Sequence, residues 1–312
     1  MRVNPSGATR MTPTRINSGI LLGLMLSQLT VVFLAAGASA DENNIKRGEY
    51  LAKAGLCITC HTDYKNNGEP LAGGRPITTP FGTIYSTNIT PDPDTGIGNW
   101  TDAEFTRAMR KGVRRDGENL FPAFPYTTYT HMTDQDILDL KAYLFSVKPV
   151  RQENRPVAMS LPFRWRFPLS GWKWLYLKEG VFQPEGKRSP RWNRGAYLVS
   201  AVAHCAECHT PRDAFGGLKG KMIMAGTPDG PEGELTPNIT PDSSTGIGDW
   251  TAEEIVELLK SGDKPDGDNV QGLMEEIIEH GYRYMTDEDL QAIAFYLRTI
   301  KPIRNEVESE EK

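Results

Sequence analysis

The stretches "CITCHT" (Cys57 to Thr62) and "CAECHT" (Cys205 to Thr210) hold all four cysteines of this 312-residue chain. Each sets two cysteines three positions apart, with a histidine directly after the second. On a helical turn, positions i, i+3 and i+4 share one face. Cys57, Cys60 and His61 therefore face one way, and so do Cys205, Cys208 and His209.

The sequence around the motifs also recurs. "STNITPDPDTGIGNWTDAEF" (86–105) returns as "TPNITPDSSTGIGDWTAEEI" (236–255), with Asn88 and Asn238 separated by 150 positions. "KRGEYLAKAGLCITCHT" returns as "NRGAYLVSAVAHCAECHT", and "MTDQDILDLKAYLFSVKPV" as "MTDEDLQAIAFYLRTIKPI". A period of this length, with the blocks in the same order, marks a duplicated domain.

Two thiols on one helical face can add to the two vinyl groups of a haem, and the next imidazole reaches the iron from the same side. Cys57, Cys60, Cys205 and Cys208 are the expected attachment points of two covalent c-type haems, and His61 and His209 the expected proximal ligands. A disulfide within each C-x-x-C has no use for the repeated histidine. A single zinc held by both pairs would tie together copies that each look self-contained.

The rest of the chain fits such a cofactor. Thr101-x-x-Glu104 and Thr251-x-x-Glu254 predict capped helix starts, with Gly112 and Gly262 placed to end those helices. The last helix of each copy starts at a Thr-Asp pair and shows one apolar face, Ile137, Leu140, Leu144 and Val147 in the first copy and Leu290, Ile293, Ala294, Leu297 and Ile300 in the second. No strand pattern stands out. Residues 62–100 and 210–250 are rich in Gly, Pro, Thr and Asp, and loops that long need something to wrap around. Residues 149–190, with Trp165, Trp172 and Trp174, are too apolar for a free tether and are expected to pack along the domains.

Arg2, Arg10 and Arg15 precede an apolar run from Ile20 to Ala36, and Ala38-Ser39-Ala40 has the form of a signal-peptidase site. The expected organisation is a signal peptide (1–40), a first domain (41–148), a packed linker (149–190), a second domain (191–303) and a charged tail (304–312). Losing the leader removes three arginines and no acid, which leaves 32 basic against 40 acidic residues. That balance argues against nucleic acid and against an anionic membrane surface as partners. Contact with a membrane is expected only through an uncleaved leader or a partner subunit.

The sixth iron ligand separates a carrier from an enzyme, since a second strong ligand closes the iron to substrate. Met132 in the first copy, with His131 beside it, and Met274 or Met285 in the second are the available donors, with His131 and His280 as outside candidates. Met109, Met222 and Met224 read as packing residues. Asn88, Thr90 and Trp100, with Asn238, Thr240 and Trp250, read either as haem-propionate partners or as turn structure. Tyr50 and Tyr197 read as core residues packing their helix against the last helix near Tyr143 and Tyr296.

With "RGEYL", "TNITPDPDTGIGNW", "FPAFPYTTYTHMTD", "WNRGAYLV", "CAECHTPRDAFGG" and "VQGLM" in order over 44–303, the chain resembles the diheme cytochromes c related to the cytochrome c subunits of periplasmic alcohol and aldehyde dehydrogenases. The resemblance implies an all-α fold of two tandem class I cytochrome c domains with long haem-wrapping loops. It also implies a periplasmic location, and single-electron transfer from a dehydrogenase to a quinone-linked complex, an oxidase or another cytochrome. Members with "PAMPY" carry a methionine where this chain has Phe124, which shifts the expected first-copy ligand to Met132. In the second copy the family pattern favours Met274 over Met285. Dehydrogenase subunits of this type carry a third haem motif and a C-terminal anchor, whereas this sequence ends in "NEVESEEK". The competing reading is a diheme enzyme of the peroxidase or thiosulfate dehydrogenase type, with one haem open to substrate. No cysteine is left over to ligate iron in the second of these.

Overall fold

A computed structural model describes Met1, Arg2 and residues 42–308. The expected leader beyond Arg2 and the last four residues of the tail lie outside the described residues. Residues 44–312 group as one compact unit, to which the following description applies.

The first repeat opens with helix α1 (42–54), followed by the short helix α2 (Cys57–His61) that carries the first cysteine motif. Helix α3 (Asp102–Lys111) starts at Thr101, whose side chain accepts from the Glu104 amide while the Glu104 carboxylate accepts from the Thr101 amide. It ends at Gly112, left-handed at φ 56°. After α4 (Tyr126–Tyr129), helix α5 (Asp134–Ser146) begins at the Thr133 cap and buries Ile137, Leu140 and Leu144. Helix α6 (Leu169–Tyr176) lies in the stretch between the repeats.

The second repeat runs α7 (Pro190–Tyr197), α8 (Cys205–His209), α9 (Ala252–Ser261), α10 (Gly272–His280) and α11 (Asp287–Leu297). The same Thr-x-x-Glu box caps α9, and Gly262 ends it. One residue more separates the Arg-Gly-x-Tyr motif from the cysteines here than in the first copy: Tyr50 precedes Cys57 by seven positions, Tyr197 precedes Cys205 by eight. A π-helical turn at Leu198–Val202 takes up the extra residue, closed by Ala203 N–H donating to the Leu198 carbonyl at 2.7 Å. A single wide turn absorbs an insertion that would otherwise rotate the rest of the helix by about 100°.

The first helix of each repeat crosses the last at a glycine. A Cβ on Gly48 would meet the Asp139 carbonyl oxygen at 1.9 Å, and one on Gly195 the Ala292 carbonyl oxygen at 2.0 Å. The core continues through both repeats, from Leu51, Leu140 and Leu144 to Leu198, Leu290 and Leu297.

Helices dominate, but the fold also contains a three-stranded antiparallel sheet in the order β1 (Pro76–Thr79), β2 (Gly82–Tyr85), β3 (Ala158–Met159). The absence of strands expected from the sequence is thus corrected. Strands of two to four residues are too short to show a period-2 pattern. Yet "ITT" and "TIY" on either side of Pro80-Phe81 carry the β-branched bias of a hairpin. The third strand comes from the stretch between the repeats, so it has no local signal at all. At the corresponding place in the second repeat only the isolated bridge Thr227–Thr236 forms.

That intervening stretch packs on one side only. Asn119 donates to the Arg166 carbonyl and the Ser170 hydroxyl, and Lys173 donates to the Gly112 carbonyl. Tyr176 reaches Asp213, and Trp172 donates to the Phe215 carbonyl. Phe182 packs on Tyr197, whereas Phe167 at 73 % and Trp174 at 84 % exposure stay in solvent.

Candidate haem sites

In each repeat the residue before the first cysteine adopts a left-handed conformation, Leu56 at φ 58° and His204 at φ 43°. This breaks the preceding helix and starts the five-residue turn that aligns Cys, Cys and His. All four cysteines are free thiols and half-buried. Burial pushes Cys57 and Cys208 up to about 12, and Cys60 and Cys205 up to about 11. A nucleophilic or zinc-binding cysteine needs the opposite shift, toward thiolate. A thioether carries no charge and tolerates such a place. No group of three or more His, Cys, Asp or Glu side chains able to hold a metal ion occurs among the described residues.

The two motif histidines are held alike. His61 Nδ1 donates to the Thr87 carbonyl at 2.6 Å, and His209 Nδ1 donates to the Pro237 carbonyl at 2.8 Å. The acceptor fixes the tautomer, so Nε2 keeps its lone pair for a metal. Burial lowers both imidazoles from their ordinary value, which keeps them neutral. The histidine backbone is pinned as well. Gly73 N–H donates to the His61 carbonyl at 2.7 Å and Gly226 N–H to the His209 carbonyl at 2.8 Å. Both glycines have φ near 80°, and a Cβ on Gly73 would sit 2.4 Å from the Thr87 carbonyl carbon. The loop that orients the imidazole can approach only because glycine lies there. These features fit a covalently attached haem at each motif.

The methionines fall into two groups. Met132 and Met285 are 2 % and 4 % exposed. Each donates its N–H to a tyrosine carbonyl three residues back, Tyr129 or Tyr282, and each precedes the threonine cap of the last helix. They are repeat equivalents at the position of a hydrophobic staple, with Ile137 and Leu290 fully buried four positions after the cap. Met274 is half-buried on α10. On that helix Glu276 pairs with Arg75, and the His280 ring stacks on Tyr64 at 3.8 Å, both partners belonging to the first repeat. Met274 lies about 160° and 120° around the helix from those two, so it faces away from the first repeat. Phe124, its counterpart, packs on Tyr129 with ring centroids 5.5 Å apart. Met109 and Met224 are core residues at 4 % exposure each.

The remaining histidines are engaged elsewhere. His131 Nδ1 donates to the Gly180 carbonyl at 2.5 Å, and buried His204 stands edge-on to Tyr129.

Other sequence-derived residues take different roles. Asn88 Nδ2 donates to Thr95 Oγ1 and to the Val150 carbonyl, and Asn238 Nδ2 to Thr245 Oγ1 and the Ile303 carbonyl. Of the two readings of these asparagines the turn holds: the block ties down the chain that leaves the last helix. Trp100 and Trp250 pack half-buried against the core. Tyr50 and Tyr197 do not simply pack within their own repeat. Tyr50 OH donates to Asp289 and Tyr197 OH donates to Asp136, each in the other repeat.

Sequence reasoning missed four buried charges: Glu207, Arg75, Asp136 and Asp289. Glu207, between the second pair of cysteines, accepts from Thr127 and Thr128 of the first repeat and from Arg212. Arg75 donates to the Thr59 carbonyl within the first motif and pairs with Glu232 and Glu276 of the second repeat. Asp136 and Asp289 stand at the same place in "MTDxD", which was the signal available for them.

The model of the family described as Cytochrome c matches residues 45–148 and 193–301. The chain belongs to this family, and it carries two c-type haems. It is 39 % identical over 302 residues to the cytochrome c subunit of a quinone-dependent alcohol dehydrogenase from Gluconobacter oxydans, covering 93 % of this chain and 62 % of that protein. Similarity to the cytochrome c subunit of gluconate 2-dehydrogenase from Pantoea cypripedii is 37 % over 288 residues, covering 90 % of this chain and 64 % of the relative. A diheme cytochrome c-type protein from Cereibacter sphaeroides is 41 % identical over 274 residues, 86 % of this chain and 89 % of its own length. The chain thus spans a little over three fifths of the length of these alcohol and gluconate dehydrogenase subunits.

Proposed function

We propose that this protein is a periplasmic diheme electron carrier that takes single electrons from a dehydrogenase and passes them to a downstream respiratory acceptor. The haems supply one-electron iron chemistry, and the polypeptide holds and insulates them. Cys57 and Cys60 bind one haem and Cys205 and Cys208 the other. His61 and His209 coordinate through the Nε2 atoms that the Thr87 and Pro237 carbonyls leave free. Met132 and Met274 complete the two coordination spheres. Segments 62–100 and 210–250 wrap the cofactors, within domains at 41–148 and 191–303 joined by the stretch 149–190. Residues 1–40 direct export and are removed.

The observation that carries this reading is the doubled imidazole setting. Each proximal histidine is fixed at Nδ1 by a carbonyl and at its backbone by a glycine N–H. The same construction twice suits two redox centres in one conduit. The dehydrogenase as donor is taken from what the similar proteins are.

A potentiometric titration followed at the haem absorption bands tests this reading. Two one-electron steps, with no turnover of peroxide or thiosulfate by the fully loaded protein, are the expected result. Steady turnover of either substrate would replace the carrier by the enzyme.

A further inference from the structure

The overall charge of the chain hides a local departure. Between Arg155 and Lys178 there are five cations and no acid, interleaved with Trp165, Trp172 and Trp174. Six large side chains here stand in solvent: Leu161 (55 %), Phe163 (49 %), Trp165 (47 %), Phe167 (73 %), Trp174 (84 %) and Leu175 (58 %). Phe215, 71 % exposed, extends the same surface from the second repeat, where the Trp172 indole donates to its carbonyl. Phe81, at the turn of the hairpin, meets Phe163 with centroids 5.1 Å apart and lies 3.5 Å from where a Cβ on Gly216 would be. A contiguous apolar patch of this kind marks a surface that binds something.

The patch is held in place. Through Asn119 and Gly112 on one side and Asp213 on the other, the segment is bonded to both repeats, so its aromatic edge faces outward. The cations divide in two. Arg166 and Lys173 turn inward, the first paired with Glu118 and the second donating to Asn119. Arg155, Arg164 and Lys178 make no ion pair among the described residues, and Arg155 stacks on Tyr85. The nearby acids Glu118 and Glu179 are paired, with Arg114 and Arg166 and with Lys111, while Asp213 accepts from the Tyr176 hydroxyl and from the Phe215 and Gly217 amides.

We infer that the segment 161–178 docks the protein on the surface of an anionic phospholipid bilayer. Tryptophan and phenylalanine insert at the boundary between headgroups and acyl chains, while arginine and lysine beside them meet lipid phosphates. No helix among the described residues is long and apolar enough to cross a membrane, so the contact is peripheral. The excess acid over the remaining surface, repelled by the same lipids, sets one orientation. Charge complementarity selects lipid as the occupant: cations without an ion pair flank an exposed apolar strip, and the segment 161–178 contains no acidic residue. The inference rests on this surface and stands apart from the reading of the haem ligands.

Sedimentation of the haem-loaded protein, released from the periplasm, with phosphatidylcholine vesicles containing phosphatidylglycerol tests the proposal. Haem absorbance in the pellet is the readout. Binding is expected to fall on the order of tenfold or more in the double variant Phe167→Ser, Trp174→Ser, and on the order of tenfold in Arg164→Glu, Lys178→Glu. Pure phosphatidylcholine vesicles are expected to retain much less protein. All four side chains are exposed and lie outside the two Cys-x-x-Cys-His motifs, so an unchanged haem spectrum certifies the fold of each variant. Failure of the unaltered protein to sediment, or equal sedimentation of both variants, would overturn the proposal. So would a protein that stays off vesicles and forms a dimer dissolved by Phe167→Ser, Trp174→Ser, since the patch would then serve a second copy. Loss of reduction by a dehydrogenase in that variant, without vesicle binding, would assign the surface to a protein partner instead and also overturn it.

Discussion

Tyr50 of the first repeat donates its phenol to Asp289 of the second, at 2.5 Å. Asp289 also accepts two bonds from Arg194 of its own repeat, at 2.7 and 2.6 Å. The reciprocal set joins Tyr197 and Arg47 to Asp136. Each repeat thus closes the start of the other's last helix. Arg47, Tyr50, Asp136, Arg194 and Asp289 line one cleft of about 420 Å³. This crosswise pairing makes the haem sites parts of one body.

Removing one hydrogen bond to a buried carboxylate should cost about 1–2 kcal/mol. Tyr50→Phe is expected to lower unfolding stability by that amount in urea. Asp289→Ala, which strands Arg194 and Tyr50 together, should cost more, on the order of 3 kcal/mol. Burial pulls the Asp289 carboxyl up, but Arg194 and Tyr50 outweigh it and hold it below its ordinary value. A lowered folded-state value means that this contribution is complete above the ordinary carboxylate range and is lost as pH falls through the folded value. Acid unfolding should therefore be shallower in Asp289→Asn than in the unaltered protein. Parallel acid limbs would remove Asp289 from the account.

Gly48 and Gly195 let two helix pairs touch. Gly48→Ala is expected to destabilise by about 3 kcal/mol or more, because the Asp139 carbonyl occupies the site of the new methyl. Gly186→Ala, with nothing within 4 Å, is the matched control and should change little. Thermal unfolding of both variants checks the pair.

Much of this was legible in the sequence, and the reasons are local. Thr101, Thr251, Gly112 and Gly262 bound their helices through contacts within a few residues, so spacing alone disclosed them. Cys57-x-x-Cys60-His61 was legible because one helical turn carries it. The crosswise reach of Tyr50 and Tyr197 was not, because a duplicated sequence does not say which copy a side chain touches. Strand β3 was hidden because it is created by pairing with a hairpin more than seventy residues away. The outward aromatic edge of 161–178 was read as a packing surface because apolar composition does not reveal direction.

The π-helical turn at Leu198–Val202 takes up one extra residue. Deleting Ser200 should let it close to an α-turn like that of the first repeat, leaving Cys205 in place. Such a chain is expected to retain two covalent haems by intact mass. Loss of one would show that the wide turn has a role of its own.

Glu207 sits within the second motif, buried and paired with Arg212, while its counterpart is Thr59. A buried negative charge favours the oxidised, more positive centre. Glu207→Gln is expected to raise one of the two reduction potentials and leave the other nearly unmoved. Equal movement of both would point to a general loosening of the interface.

The central claim is that both irons are closed by protein ligands. The direct measurement is the optical and electron paramagnetic resonance spectrum of the oxidised protein beside Met132→Ala, Met274→Ala and Met285→Ala. Two low-spin irons are predicted, one losing its methionine signature in Met132→Ala and the other in Met274→Ala, with Met285→Ala altering stability alone. A high-spin iron in the unaltered protein would contradict the account, since an open coordination position belongs to an enzyme.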